Sequence, residues 1–449
     1  MGIKNNGTLW AWGNNGNGQL GDNTFNNTNS PIQIGIATNW VNVFTGSYHS
    51  LGITADGKLW AWGNNGSGQM GDGTVINKYI PTQIGTATNW ASVSAGNAQS
   101  LGITADGKLW AWGDNGHGEL GIGSLTPKYN PTQVGSATNW LAVSAANVYF
   151  SLGITTDGTL WSWGYNNEGE LGNSASSDIT IPTKVGTATN WVSISAGGYY
   201  SHGITADGKL WGWGFNAYGQ LGIGNTTNSN IPTQVGVGTN WVKVSAGAGH
   251  SLGITSDGKL WGMGSDGQGQ LGNIYANSET SPAQIGIASN WVSISVGYMY
   301  STALINDGFS WGSGYNVNGQ LGDLSNITRY VFKQTSAQAN IANGLAATGA
   351  SSTMQQGQYS MFIDGTALIA SVNSTEVSLT PIVGSVTAKV WIETAQPANY
   401  VKRHYQITTA SNAGTVTGRV TLYYLPAEFD AFNAINNSKL PASSSDFKG

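Results

Sequence analysis

The sequence contains no cysteine, which excludes disulfide bonds, thiolate metal sites and cysteine nucleophiles. Cations are scarce too. Only three arginines occur, Arg329, Arg403 and Arg419, and charged residues make up 9% of the chain, against roughly 25% in an ordinary soluble protein. With a formal net charge of -5 and no cluster of cations to neutralise phosphates, no nucleic-acid partner is expected. No run of 18 apolar residues appears, so no membrane span is expected either. Met1 is followed at once by repeat sequence with no signal peptide, and the chain is expected to be a piece of something longer.

Catalytic signatures are equally thin. HExxH, GxSxG and GxxxxGK[ST] do not occur, and the five histidines, His49, His117, His202, His250 and His404, are scattered. Asp114, Glu119, Glu168 and Glu170 fall in one family of loops, where two could converge as an acid/base pair; the expectation is nevertheless of a protein that is not an enzyme and holds no cofactor or metal. The stretch beginning at Asn14 lacks the alternating ligands and terminal Glu of a calcium loop.

What the chain does have is repetition. The phrase GKLWAWG or a variant recurs seven times, with first tryptophans at Trp10, Trp60, Trp110, Trp161, Trp211, Trp261 and Trp311, spaced by 50 residues except for one step of 51. A second phrase, NW followed by alternating apolar residues and SAG, recurs at Trp40, Trp90, Trp140, Trp191, Trp241 and Trp291. Such a period marks an array of supersecondary units. Alternation with period two points to strands, and Asp-Gly in TADGK supplies the positive φ of a tight hairpin. Each unit reads as four antiparallel strands: NWVSISAG, SLGIT, LWAWG and a short strand after proline. Closing such units into a ring protects their edges, so the expected fold is an all-β, seven-bladed propeller of ~50-residue repeats, residues 1–340. Trp10 and Trp12 lie two apart on one strand and share a face, where they pack between blades. Eighteen of the 19 tryptophans fall in these two phrases, so they are assigned to structure instead of sugar stacking.

Seven LW phrases but six NW phrases leave one blade short. Residues 343–360 look like a worn copy of the missing half, because Gly349 follows Trp311 by 38 residues, against 36 between Trp261 and Gly297. With the strand pair at 2–13, segment 341–360 is expected to complete the last blade, so that both chain ends close the ring.

The phrases SAG..HSLGITADGKLWAWG and GQLG resemble the regulator of chromosome condensation repeat family, over residues 1 to about 335. The resemblance implies a seven-bladed propeller. Beside a recognition module that binds through variable loops, the resemblance brings two further functions to weigh: a secreted inhibitor of an enzyme, like similar propellers that block β-lactamases, and guanine-nucleotide exchange on a small GTPase, the activity of the family's namesake. Beyond it, residues 361–449 carry strand-like VTAKVWIE, KRHYQIT and GRVTLYY and a short helix expected from Pro426. Through VTAKVWIE, KRHYQIT and AEFDAFN this part resembles a β-rich C-terminal module of secreted Gram-negative bacterial proteins, which implies export to the cell surface or beyond.

Strand direction places the SAG loops and the WGNNGxGQLG loops on one rim and the Asp-Gly turns on the other. The Asp-Gly rim is nearly invariant, whereas the first loops of the opposite rim vary and are rich in Tyr, His and Asn. The candidate binding residues are Tyr48, His49, Asn97, Gln99, Tyr149, Phe150, Tyr199, Tyr200, His250, Tyr298, Met299 and Tyr300. Tyrosine gives large amphipathic contact area at low entropic cost, so the expected partner is a protein or glycan bound by a monomer.

Overall fold

The computed structural model describes residues 1–274, 277–306 and 308–335, and the backbone of five further strands, Met361–Asp364, Ala367–Ala370, Val386–Ile392, Val401–Thr409 and Gly418–Tyr424. The chain divides into two units, Met1–Ala347 and Thr348–Gly449.

The first unit is a seven-bladed propeller. Blade one has three strands, β1 (Gly2–Ile3), β2 (Leu9–Gly13) and β3 (Thr28–Ile34). Blade two has four, β4 (Trp40–Thr45), β5 (His49–Thr54), β6 (Leu59–Gly63) and β7 (Lys78–Gln83), paired antiparallel in sequence order. Five more four-stranded sheets follow, ending with the blade Trp291–Val296, Tyr300–Ile305, Ser310–Gly314 and Arg329–Gln334. The first strands of successive four-stranded blades lie against one another, as β4 does against Trp90–Ala95, which makes the first strand the innermost. Blade one lacks that strand among the described residues. The segment expected to supply it, 341–360, lies outside them, as does the helix expected from Pro426.

Alternation along LWAWG explains how blades stack. Leu59 and Ala61 face one way and Trp60 and Trp62 the other, as a period of two requires. Leu51, Ile53, Leu59 and Ala61 of blade two pack against Trp90, Val93 and Trp112 of blade three, and this arrangement recurs around the ring. Within a blade, the NW tryptophan lies over a glycine of the second strand and meets both LW tryptophans edge-on: Trp90 lies 6.2 Å from Trp110 and 5.8 Å from Trp112. A Cβ on Gly102 would sit 2.5 Å from the Trp90 ring, so that position needs glycine. The second LW tryptophan also ties blades together by hydrogen bonding: Trp62 Nε1 donates to Gln19 O at 2.9 Å, and Trp112 Nε1 to Gln69 O at 2.9 Å.

The same bond closes the ring. Trp12 Nε1 donates to Gln320 O at 3.1 Å, the Leu324 amide donates to Asn29 O at 2.9 Å, and Asn29 Nδ2 donates to Asn326 Oδ1 at 2.8 Å. The N-terminal strand pair thus docks on the last blade. No helix among the described residues is long and apolar enough to cross a membrane.

The second unit contains a hairpin, Met361–Asp364 with Ala367–Ala370, and a three-stranded antiparallel sheet in the order Val386–Ile392, Val401–Thr409, Gly418–Tyr424.

Candidate recognition rim

The two variable loop families share one rim. The Asn64 amide donates to Tyr48 O at 2.9 Å, and the equivalent bond joins Asp114 to Ala98, Tyr165 to Tyr149, Phe215 to Tyr199, Ser265 to Gly249 and Tyr315 to Met299. The second loop is braced from within by a buried asparagine. Asn65 Nδ2 donates to Asp72 Oδ1 at 3.0 Å and to Thr74 O at 3.0 Å, while its Oδ1 accepts from the Met70 amide at 3.0 Å. Loop ends so constrained hold their tips in place, which is what a recognition surface requires.

The twelve candidates divide by depth. Tyr48, Tyr199, Tyr298 and Met299 are exposed, Tyr298 most at 69%, whereas Asn97 and Tyr149 are half-buried. His49, Gln99, Phe150, Tyr200 and His250 have no exposed surface, and Tyr300 is half-buried. These six share one position, the first residue of the second strand. From there the side chain lies on the same face as Leu51 and Ile53, and the five fully buried ones reach the next blade. His49 Nε2 bonds Ser100 Oγ at 2.8 Å, Gln99 Nε2 donates to Ala146 O at 3.0 Å, and His250 Nε2 bonds Ser301 Oγ at 2.9 Å. The Tyr200 hydroxyl donates to His250 O and accepts from the Gly247 amide at 3.1 Å. Phe150 packs in the cluster that contains Trp191 and Trp213. Burial lowers the His49 pKa to about 4 and that of His250 to about 3, so both are neutral wedges, and it raises the Tyr200 hydroxyl. The buried members of this set do not line the surface, which corrects their placement at the loop tips.

Their place is taken by residues of both loop families. Tyr149, His117, Tyr165, Tyr199, Phe215 and Tyr218 form a continuous arc over blades three to five, each ring 5.0–6.5 Å from the next. Tyr149 stacks on His117 at 30°, and Tyr165 meets His117 edge-on. Tyr149 sits beside the extra residue of the 51-residue step and takes a left-handed φ of 33°, which an L-residue adopts only when its surroundings hold it there. The arc is fastened between blades by His117 Nδ1 with Asp178 Oδ2 at 2.8 Å and by Asn228 Nδ2 donating to Glu168 Oε2 at 2.7 Å. The signal for these residues was present in the sequence. Asn64 becomes Tyr165 and Phe215 in later copies, and Ser67 becomes His117 and Tyr218.

Beneath the arc lie two carboxyls. Glu119 and Glu170 are fully buried, and each leaves Oε1 without a partner. Burial raises both pKa values to about 7. They occupy separate blades with no exposed surface, so they do not form an open acid/base pair with Asp114 and Glu168. Among the described residues, no group of three or more His, Asp or Glu is placed to hold a metal ion.

The family described as Regulator of chromosome condensation (RCC1) repeat matches residues 6–53, 56–103, 106–149, 157–204, 207–254 and 257–304, together more than half of the chain. The chain belongs to this family. A second description of the same repeat matches five segments from 40–69 to 241–270. No curated protein sequence matches the chain. Among solved structures, human WBSCR16 is similar with a TM-score of 0.67 at 21% identity, over 73% of this chain and 94% of that one. Yeast RCC1 (Prp20), solved with Kap60 bound, is similar with a TM-score of 0.68 at 19% identity, over 76% and 86%. Prp20p from Saccharomyces cerevisiae, described with its binding properties to Gsp1p and histones, gives 0.67 at 20% identity, over 76% and 88%. At these identities the likeness establishes the shared propeller fold.

Proposed function

We propose that this propeller is a non-enzymatic recognition module, secreted or displayed on a bacterial cell surface, that binds a protein or glycan through its variable rim. The observation that carries the reading is the set of exposed aromatic and Met side chains, Tyr48, Tyr199, Tyr298 and Met299, on first loops that backbone hydrogen bonds tie to the asparagine-braced second loops. Variable tips on a rigid scaffold suit recognition, and rigid aromatic side chains are the commonest anchors of binding surfaces. Protein binding is also described for the yeast proteins of the same fold. A secreted inhibitor of an enzyme is the second reading, and the continuous aromatic arc favours it, since such an inhibitor needs one contiguous contact patch.

The test is capture of partners from lysate and culture supernatant, together with a glycan array. The wild type is compared with a variant carrying Tyr48→Ala, Tyr199→Ala, Tyr298→Ala and Met299→Ala. Because all four side chains are exposed, the variant should fold normally and lose the captured partner. If every interaction detected with the wild type survived in the variant, the rim reading would be wrong.

A further inference from the structure

The aromatic arc carries a charge bias centred on blade four, whose rim stretch 164–180 holds three acids and no Lys or Arg. Rim residues 113–130, 147–150, 164–180, 197–200 and 214–230 contain five acids, Asp114, Glu119, Glu168, Glu170 and Asp178, and a single Lys or Arg, Lys128. Asp178 is exposed and Asp114 and Glu168 are half-buried, so their carboxylates lie beside the rings. On blades two and seven the rim acid is matched, with Lys78 3.7 Å from Asp72 and Arg329 2.7 Å from Asp323; the rim stretches 13–30 and 264–280 of blades one and six hold Asp22, Asp266 and Glu279 without a Lys or Arg, but lie outside the arc. Blades four and five have Ile179 and Ser229 where blades two and seven have Lys78 and Arg329. Asp178 and Glu168 are instead held by a histidine and an asparagine from adjacent loops, Asp178 by His117 and Glu168 by Asn228.

We infer that the arc over blades three to five is the docking site for a basic segment of a partner protein, with its Lys or Arg side chains lying on the ring faces of Tyr165, Tyr199 and Tyr218 and their charges answered by Glu168 and Asp178. The inference rests on the rim reading and narrows its partner to one chemical class. Aromatic faces attract cations through their quadrupole, and acids set beside them raise the local concentration of a cationic partner. A neutral glycan would use the rings but not the acids. An acidic partner would be repelled.

The probe is a fluorescein-labelled peptide of alternating Arg and Gly, with a Glu/Gly peptide and a neutral hexasaccharide as comparators. Binding to the full chain is followed by fluorescence anisotropy for the peptides and by calorimetry for the sugar, at 25 and 150 mM NaCl. The Arg/Gly peptide should bind, and its Kd should rise about tenfold in Tyr199→Ala/Tyr218→Ala and in Glu168→Gln/Asp178→Asn. Asp22→Asn on blade one should leave it unchanged. Three results would overturn the inference: no binding of the Arg/Gly peptide at 25 mM NaCl, an equal loss in Asp22→Asn, which means diffuse attraction to an acidic protein, or sugar binding through the same tyrosines. A natural partner that needs the rim tyrosines but tolerates Glu168→Gln/Asp178→Asn at either salt would sink this inference and leave the rim reading intact. Circular dichroism and melting temperature confirm that each variant is folded.

Discussion

Position 69 of the second loop shows what one substitution does to a repeated site. Gln69 Nε2 donates to Asn64 Oδ1 at 2.8 Å and Oε1 accepts from the Ser67 amide, so both ends of the amide are satisfied. In blade three the pair is replaced by Glu119 and Asp114. Glu119 keeps the amide contact through Oε2 to His117, but Oε1 is buried without a donor. Burial holds its pKa near 7, above the ordinary 4.5, with the Asp114 charge adding to the shift. The sign of the consequence follows. As pH rises from 4.5 to 7 the unfolded chain releases this proton while the folded one retains it, so stability falls across that window and the loss is complete above pH 7. Glu119→Gln removes the loss and supplies an N–H for Asp114. The variant should melt like the wild type near pH 4 and be more stable at pH 8 by on the order of 2–3 kcal/mol. Denaturant titrations at the two pH values check it; a gain at pH 4 as large as at pH 8 would show that ionisation is not the cause. Glu170→Gln should follow the same sign with a smaller gain. Its neighbour in the Asn64 position is Tyr165, and the corresponding Gln220 beside Phe215 leaves its own Nε2 unpartnered.

At the scale of the blade, the packing of tryptophan over glycine sets the limits. A methyl group at Gly102 would press on Trp90, yet blade seven carries Ala303, 2% exposed, at the same position. The difference lies one strand away. Ser313 replaces the second LW tryptophan there, and Trp291 keeps its contact with Trp311 while packing on Phe332 at 5.6 Å. Gly102→Ala alone should therefore destabilise by about 1–3 kcal/mol, an overpacking cost. Combined with Trp112→Ser, the two penalties should sum to less than their separate values, a coupling that a double-mutant cycle in urea measures. Strict additivity would mean that the alanine in blade seven is tolerated for some other reason. The blade itself was legible in the sequence: period-two alternation, Asp-Gly turns and the 50-residue spacing locate every strand of the six full blades. What escaped was a boundary. Reading the second strand from Ser50 leaves His49 in the loop, whereas pairing begins at His49 opposite Gly63. In a strand, one residue decides between two faces, so five candidate tip residues, His49, Gln99, Phe150, Tyr200 and His250, belonged to the interface between blades. The arc was missed for a different reason. Its rings come from two loop families and three blades, and only the fold brings Tyr149 onto His117.

At the scale of the whole molecule, the propeller differs from an open array in having no free end, and that property rests on the seam between blades one and seven. Blade one has its β1–β2 hairpin and β3 but no innermost strand among the described residues, and Trp12 is only half-buried where Trp62, Trp112, Trp163 and Trp213 are fully buried. The seam nevertheless repeats the bond of every tryptophan junction, Trp12 to Gln320 O, and the ring of Trp12 lies where a Cβ on Gly322 would fall, 2.9 Å from that atom. In an open array each unit depends only on its neighbours, and a lesion at one end leaves the other unaffected. In a closed ring the ends are neighbours. Trp12→Ala should therefore cost about 3 kcal/mol, the lower end for a tryptophan truncation because the side chain is only half-buried. It should also accelerate amide hydrogen exchange in Ser310–Gly314 and Arg329–Gln334, some 300 residues away in sequence. Trp112→Ala, at an ordinary junction, should loosen blades two and three first and spare those strands. Exchange in blade seven that did not respond to Trp12→Ala would mean that the ring is held shut by something other than this seam.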